Sequence, residues 1–171
     1  MIETERLVLH TLPPSLVALL VARDWEGARA TDPPYEITAE TFADDAVTLA
    51  HRLVQLTADP TAEPWLYRVG VLRGTRQVVG RVGLHAPPAG DGMIEIGYSV
   101  ATAYRRQGFA LEMARGLIAW GAAHGAAYCL ASVRPDNVGS LATIARMGFV
   151  RIGEQIDEID GLEWVHRLDL G

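Results

Sequence analysis

The sequence predicts one α/β domain spanning residues 1–171, with a β-meander placed before a central amphipathic helix. Three observations predict it. Three β-rich runs follow one another between Trp65 and Val100. A helical pattern begins at Gly108. After it strands and helices alternate, so the element order is β α α β β β α β α β β. A chain of 171 residues buries roughly 70% of the surface its unfolded form exposes, so it needs no disulfide or metal to hold it.

The elements follow from local chemistry. "ERLVLHTL" is a short strand that Pro13 and Pro14 end. "SLVALLVARDW" is apolar and helical, with Ser15 as its expected N-cap. After the loop "DPPYEIT", Thr38 is placed to cap "AETFADDAVTLAHRLVQLTAD", where Phe42, Ala46, Leu49 and Leu53 recur at helical spacing. "WLYRVGVL" and "QVVGRVGLH" flank a glycine turn and read as a hairpin. "MIEIGYSV" alternates, with Ile94, Ile96, Tyr98 and Val100 on one face and Glu95, Gly97 and Ser99 on the other. The helix from Gly108 carries the stripes Phe109, Met113, Leu117, Trp120 and Ala110, Ala114, Ile118, and Gly125 suits its end. "YCLASV" is a strand, "LATIARM" a short helix closed by Gly148, and "FVRIGEQI" and "LEWVHRLDL" form the last hairpin.

Composition narrows the class. The formal net charge of −6 argues against a nucleic-acid partner and favours cationic ones such as amines. All 15 basic residues are arginine. The single cysteine, Cys129, forms no intrachain bridge and reads as a core thiol, which suits a reducing cytoplasm. "MIETERLVLH" has no apolar core and no apolar run approaches a membrane span, so neither a signal peptide nor a membrane partner is expected. The histidines and the cysteine show no metal-ligand spacing, so no metal is expected.

The charged stretch "AYRRQGFALEMARG" stands at the mouth of the central helix. A helix start leaves backbone N–H groups without intrahelical partners, and the macrodipole adds partial positive charge there. Gly108 lets the backbone approach a phosphorylated ligand closely, and Arg105 and Arg106 add forked donors. One glycine makes this weaker than a dinucleotide fingerprint or a P-loop, and a solvated basic turn is the plain alternative.

Context adds a resemblance. The strand "EIGYSV", then "ATAYRRQGFA", then a helix carrying Glu112, resembles the acetyl-CoA motif of the GNAT N-acetyltransferases. Its pattern Arg/Gln-x-x-Gly-x-Gly/Ala is met by Arg105, Gly108 and Ala110. A second motif follows in "NVGSLATIARMGF", with Asn137, Ser140 and the closing Gly148 and Phe149. "TERLVLHTL" looks like the start of the RimJ/RimL-type branch, whose members acetylate protein N-termini or other amines. The likeness covers nearly the whole chain and is weakest over residues 24–62.

The resemblance implies a GNAT fold: a mixed, mostly antiparallel sheet of about six or seven strands, splayed between strands 4 and 5 and flanked by about four helices. It implies acetyl-CoA as cosubstrate, and a primary amine, either a protein N-terminus or a small amine, attacking it directly in a ternary complex. A homodimer is compatible with the family. The alternatives are a non-catalytic acyl-CoA-binding module and a nucleotide- or phosphate-binding protein unrelated to coenzyme A. The pantetheine arm is expected on backbone groups near Ser99, Val100 and Ala101. The pyrophosphate is expected on the amides of Arg106, Gln107, Gly108, Phe109 and Ala110, with Arg105 beside them. Glu95 is the first candidate base, or else a binder of cationic substrate, and His85 is the second. A backbone N–H near Val100 is the candidate oxyanion donor. Many members protonate the leaving thiolate with a tyrosine four residues beyond the motif serine. That position is Ile144 here, which leaves Ser140 as the candidate acid, while Tyr98 is expected toward the core. Asn137 either meets pantetheine or caps its helix. Trp25, Trp65 and Trp164 either wall the acceptor site or pack the core. Glu158, Asp160 and Glu163 on the final hairpin either meet a cationic acceptor or are simply solvated, and solvation is the expectation.

Overall fold

The structure is a computed structural model and describes residues 1–42 and 45–171. Its eight strands are β1 (Ile2–Glu3), β2 (Leu7–Thr11), β3 (Arg68–Leu72), β4 (Val78–Leu84), β5 (Met93–Val100), β6 (Tyr128–Val133), β7 (Val150–Asp157) and β8 (Gly161–Asp169). They form one sheet in the order β1-β2-β3-β4-β5-β6-β8-β7. Every neighbouring pair is antiparallel except β5 with β6. The helices are α1 (Pro14–Val21), α2 (Trp25–Ala30), α3 (Ala39–Phe42), α4 (Ala46–Ala58), α5 (Phe109–Ala122) and α6 (Val138–Ala145).

The meander, the central helix and the closing hairpin stand where the residue pattern puts them. The eighth strand is the two-residue β1, too short to leave a pattern. The helix expected from Ser15 starts at Pro14 instead. Pro13 is its N-cap and no side chain caps it, because the fixed φ of proline preorganises the first turn. The segment from Trp25 folds as a separate helix, whose start Asp24 caps by accepting from the Gly27 N–H at 2.8 Å. The expected helix after Thr38 is seen as α3 and α4. Thr38 does receive the Thr41 N–H at 3.1 Å, and residues 43 and 44 of that run lie outside the described residues. Ala46 is exposed, and the buried face of α4 is Leu49, Arg52 and Leu56.

The sheet separates two cores. On one face α5 buries Phe109, Met113, Ala114, Leu117 and Ile118 against Leu7, Leu9, Val82, Leu84, Ile94 and Ile96. On the other, α1 and α4 bury Leu16, Val17, Leu49 and Leu56 against Val69 and Val71. Each such side chain taken from water contributes roughly 1.5–3 kcal/mol, so both faces anchor the middle of the sheet. Trp65 belongs to the α5 core, edge-on to Trp120 at 4.6 Å. Cys129 is fully buried, and burial pushes its thiol up to about 12.

Candidate active site

The site starts from a joint that is only half closed. β5 pairs with β4 from Ile96 to Val100, but its parallel pairing with β6 ends at Glu95 opposite Leu130. This is the expected splay, between the fourth and fifth of the expected strands. In an antiparallel ladder alternate residues turn both backbone groups toward the partner. The His85 N–H donates to the Glu95 C=O at 2.8 Å, and the Ala101 N–H to the Val79 C=O at 3.0 Å. Residues 95, 97, 99 and 101 therefore face β4, and 96, 98 and 100 face the gap. At the end of this ladder the Ile96 N–H still faces β6, and the Val100 C=O accepts from Arg105 Nε at 3.1 Å. Both groups of Tyr98 and the N–H of Val100 look into the gap with no β6 partner among the described residues. Ser99 and Ala101 are placed differently from expectation. Their backbone groups serve β4, and the Ala101 C=O also accepts the Tyr104 N–H at 2.8 Å.

The gap leads to the N-terminus of α5. Gly108 is its N-cap in the left-handed region at φ 83°, where a side chain is strained. No side chain caps this end, so the first amides from Phe109 and Ala110 onward point outward. Arg106 is also left-handed, at φ 60°. Arg105, Arg106, Gln107 and Gly108 are exposed, while the Phe109 ring is buried. A third arginine, invisible to local reading, completes the mouth. Arg6 donates from Nε to Glu112 at 2.7 Å and from Nη1 to the Gln107 C=O at 3.0 Å. Its guanidinium lies 4.4 Å from the Phe109 ring centroid. Glu112 also takes the Thr4 hydroxyl at 2.6 Å, and the donors from Thr4 and Arg6 hold its carboxyl below the usual range despite partial burial.

On the α4 face of β5, polar side chains converge. His85 Nδ1 lies 3.6 Å from Glu95 Oε2. A Cβ placed on Gly97 would meet only His85 Nε2, at 3.4 Å, so the imidazole overhangs a bare strand position. From α4, Arg52 Nη1 and Gln55 Nε2 donate to the His85 C=O at 3.1 and 2.8 Å and fix the ring's base. Ser132 donates to Glu95 Oε1 at 2.7 Å, and Gln155 Nε2 bridges Ser132 Oγ and Glu163 Oε2 at 3.2 and 3.1 Å. Surrounding protein, with Arg52 and His51, lowers the His85 pKa even though Glu95 pulls it upward. About half of that side chain is exposed (54%), which keeps the imidazole in contact with solvent. Partial burial and the nearby Asp157, Asp160 and Glu95 raise the Glu163 carboxyl, so it belongs to an acidic wall and is not a freely solvated group. A cavity of about 530 Å³ opens on the same face at Ser99, walled by Arg81, Tyr67 and Asp45. Asp45 is buried, accepts the Tyr67 hydroxyl at 2.6 Å and pairs with Arg81.

The opposite face of β5 is packed. Tyr98 leaves it toward α6, where its hydroxyl donates to the Ser140 C=O at 3.4 Å. Asn137 caps α6 by accepting the Ser140 N–H at 3.1 Å. Trp164 lies beneath the Arg151 guanidinium, 4.2 Å from ring centroid to carbon, and Trp25 packs on the α1–α4 core. Among the described residues no group of His, Cys, Asp and Glu is arranged to hold a metal.

The sheet opens at its one parallel joint and the opening leads to a helix mouth that no side chain caps, a shape that would suit an extended, anionic cosubstrate. Residues 6–150 match the acetyltransferase (GNAT) domain family, and the chain belongs to it. It is 27% identical over 155 residues to YjdG, an uncharacterized N-acetyltransferase of Bacillus subtilis (strain 168), covering 88% of this chain and 89% of the other. In fold it is similar to RimJ of Mycobacterium smegmatis in complex with CoA-disulfide, at TM-score 0.68 and 20% identity over 98% of this chain and 86% of that one. It is also similar to the ribosomal-protein-S5-alanine acetyltransferase of Vibrio fischeri, at TM-score 0.65 and 20% identity over 98% and 94%. Family membership supports acetyl transfer from acetyl-CoA.

Proposed function

We infer that the protein moves an acetyl group from acetyl-CoA to a primary amine by direct attack within a ternary complex. The observation that carries this reading is the His85–Glu95 pair overhanging bare Gly97 where the gap opens. The residues present fit coenzyme A. The free edge at Tyr98 suits an amide-rich arm, and the α5 amides with Arg105, Arg106 and Arg6 suit a pyrophosphate. When bound, acetyl-CoA supplies an activated acyl carbon. The Val100 N–H faces the gap and serves as donor to a developing oxyanion.

An ammonium does not attack. Removing its proton at pH 7 costs about 1.4 kcal/mol for an α-amine of pKa near 8, and roughly 4.6 kcal/mol for a lysine-like amine. A lowered pKa keeps His85 neutral at that pH, so Nε2 accepts a proton while Glu95 orients Nδ1 and stabilises the imidazolium. Glu95 and His85 thus act as one base. The wall of Glu95, Asp157 and Glu163 favours a cationic acceptor, and the cavity beside Ser99 has room for the acceptor's body. A cytoplasmic enzyme fits this reading, and among the described residues no helix is long and apolar enough to cross a membrane.

Calorimetric titration with acetyl-CoA, coenzyme A and ATP, followed by an amine screen, tests it. Micromolar binding of the two coenzyme A species but not ATP, with turnover on at least one amine, is the expected result. Binding without turnover on any amine would move the protein to a non-catalytic acyl-CoA module.

A further inference from the structure

Breaking a thioester leaves its electron pair on sulfur, and the departing thiolate needs a proton. The helix position that holds a tyrosine in many family members is the buried Ile144, which has none to give. Three hydroxyls approach the α6 side of the gap. Thr143 donates its proton to the Gly139 C=O at 2.9 Å. Ser140 sits on the first turn of α6, its N–H held by Asn137. Tyr98 stands on β5 itself, between backbone groups that face the gap, and spans from the strand to the helix. Its proton is poorly used, since 3.4 Å is a long bond for a phenol and the acceptor is only a carbonyl.

We propose that Tyr98 gives its proton to the leaving thiolate, so that β5 supplies from the strand the phenol that α6 lacks. This rests on the acetyl-CoA reading above. The amine nitrogen forms the C–N bond and the C–S bond breaks with its pair on sulfur. The phenolic proton moves to sulfur, leaving a free thiol and a Tyr98 phenolate that regains a proton from solvent. The proton lost by the amine passes through His85 to solvent, so the net products are an amide and a thiol. Burial raises the Tyr98 hydroxyl above its ordinary pKa against an opposing pull from Ser140 and Thr143, so it stays protonated at neutral pH. Base and acid then occupy opposite faces of one strand.

The first part of the test needs no acceptor. Coenzyme A is bound to wild type, Tyr98→Phe and Ser140→Ala, and the thiolate absorbance of the bound thiol is titrated against pH. The phenylalanine keeps the ring that packs the core. The expected outcome is coenzyme A affinity within threefold of wild type and a bound-thiol pKa about one pH unit higher in Tyr98→Phe. Incorporation of 3,5-difluorotyrosine at position 98, a stronger donor of nearly the same shape, should move that pKa downward. The single-turnover rate with a peptide bearing a free N-terminal alanine, or with 1,4-diaminobutane, should fall at least tenfold in Tyr98→Phe. An unchanged thiol pKa in Tyr98→Phe overturns the proposal, as does an upward shift seen only in Ser140→Ala. If folded wild type binds no coenzyme A, the acetyl-CoA reading itself fails, and the proposal with it.

Discussion

The two faces of β5 carry opposite chemistry, and strand alternation is the cause. On the α4 face Glu95 and Gly97 present a carboxylate and a bare position, overhung by a half-exposed histidine and tied to Ser132, Gln155 and Glu163. On the α5 and α6 face Ile94 and Ile96 are buried, and Tyr98 is the one hydroxyl that β5 turns to that side. A base must pass protons to water, so partial exposure suits it. A neutral acid must keep its proton, so burial suits it. The gap between β5 and β6 is where the two faces meet.

The largest expected effect removes what both faces depend on. Gly108→Trp strains a left-handed position and covers the α5 amides, so acetyl-CoA affinity should fall at least a hundredfold by calorimetry, with the circular dichroism spectrum unchanged. Retained affinity would remove the α5 mouth from the account. Next come changes confined to the α4 face. Glu95→Gln and His85→Ala should each lower the single-turnover rate by about 10²-fold, and the double variant should be little worse than the poorer single. Additive losses would show two independent roles.

A pH profile sharpens the same comparison. His85 must be neutral to accept a proton and its pKa is lowered, so kcat/KM should rise with pH through a midpoint below the ordinary 6.5. Glu95 pulls that value upward, so Glu95→Gln should move the residual limb to lower pH. A shift to higher pH would contradict the pairing. The smallest effect belongs to Ser132→Ala. It removes one donor from Glu95 and the partner of Gln155 but leaves the histidine, so the rate should fall about twofold to tenfold.

Much of the fold was legible because it is periodic or local. The alternation of "MIEIGYSV" puts Glu95 and Tyr98 on opposite faces, as they stand in the folded sheet. Gly108 read as the permissive residue of a helix mouth, and it is left-handed there. Asn137 has the cap role that its residue type suggests. Other features depend on register or on distant segments, and no local pattern encodes those. Arg6 reaches Glu112 across 106 residues, and only the packing of the N-terminal segment on α5 reveals it. His85 and Glu95 were separate candidates until the β4–β5 register paired their backbones. That register also decides that Tyr98 and Val100, and not Ser99 and Ala101, face the gap. Glu163 stands opposite Gln155 through the β7–β8 register, and only the pairing of β8 with β6 brings Ser132 and Glu95 near it, so its partial burial leaves no local pattern.

The central claim is that the unpaired edge of β5 and the mouth of α5 hold the cosubstrate. Residue-resolved amide hydrogen exchange, with and without acetyl-CoA and with ATP as control, tests it most directly. The account predicts that acetyl-CoA slows exchange at Tyr98, Val100, Phe109 and Ala110, with little change at Ser99 and Ala101 and none of this with ATP. Protection at Ser99 and Ala101 without Tyr98 and Val100, or equal protection by ATP, would contradict it.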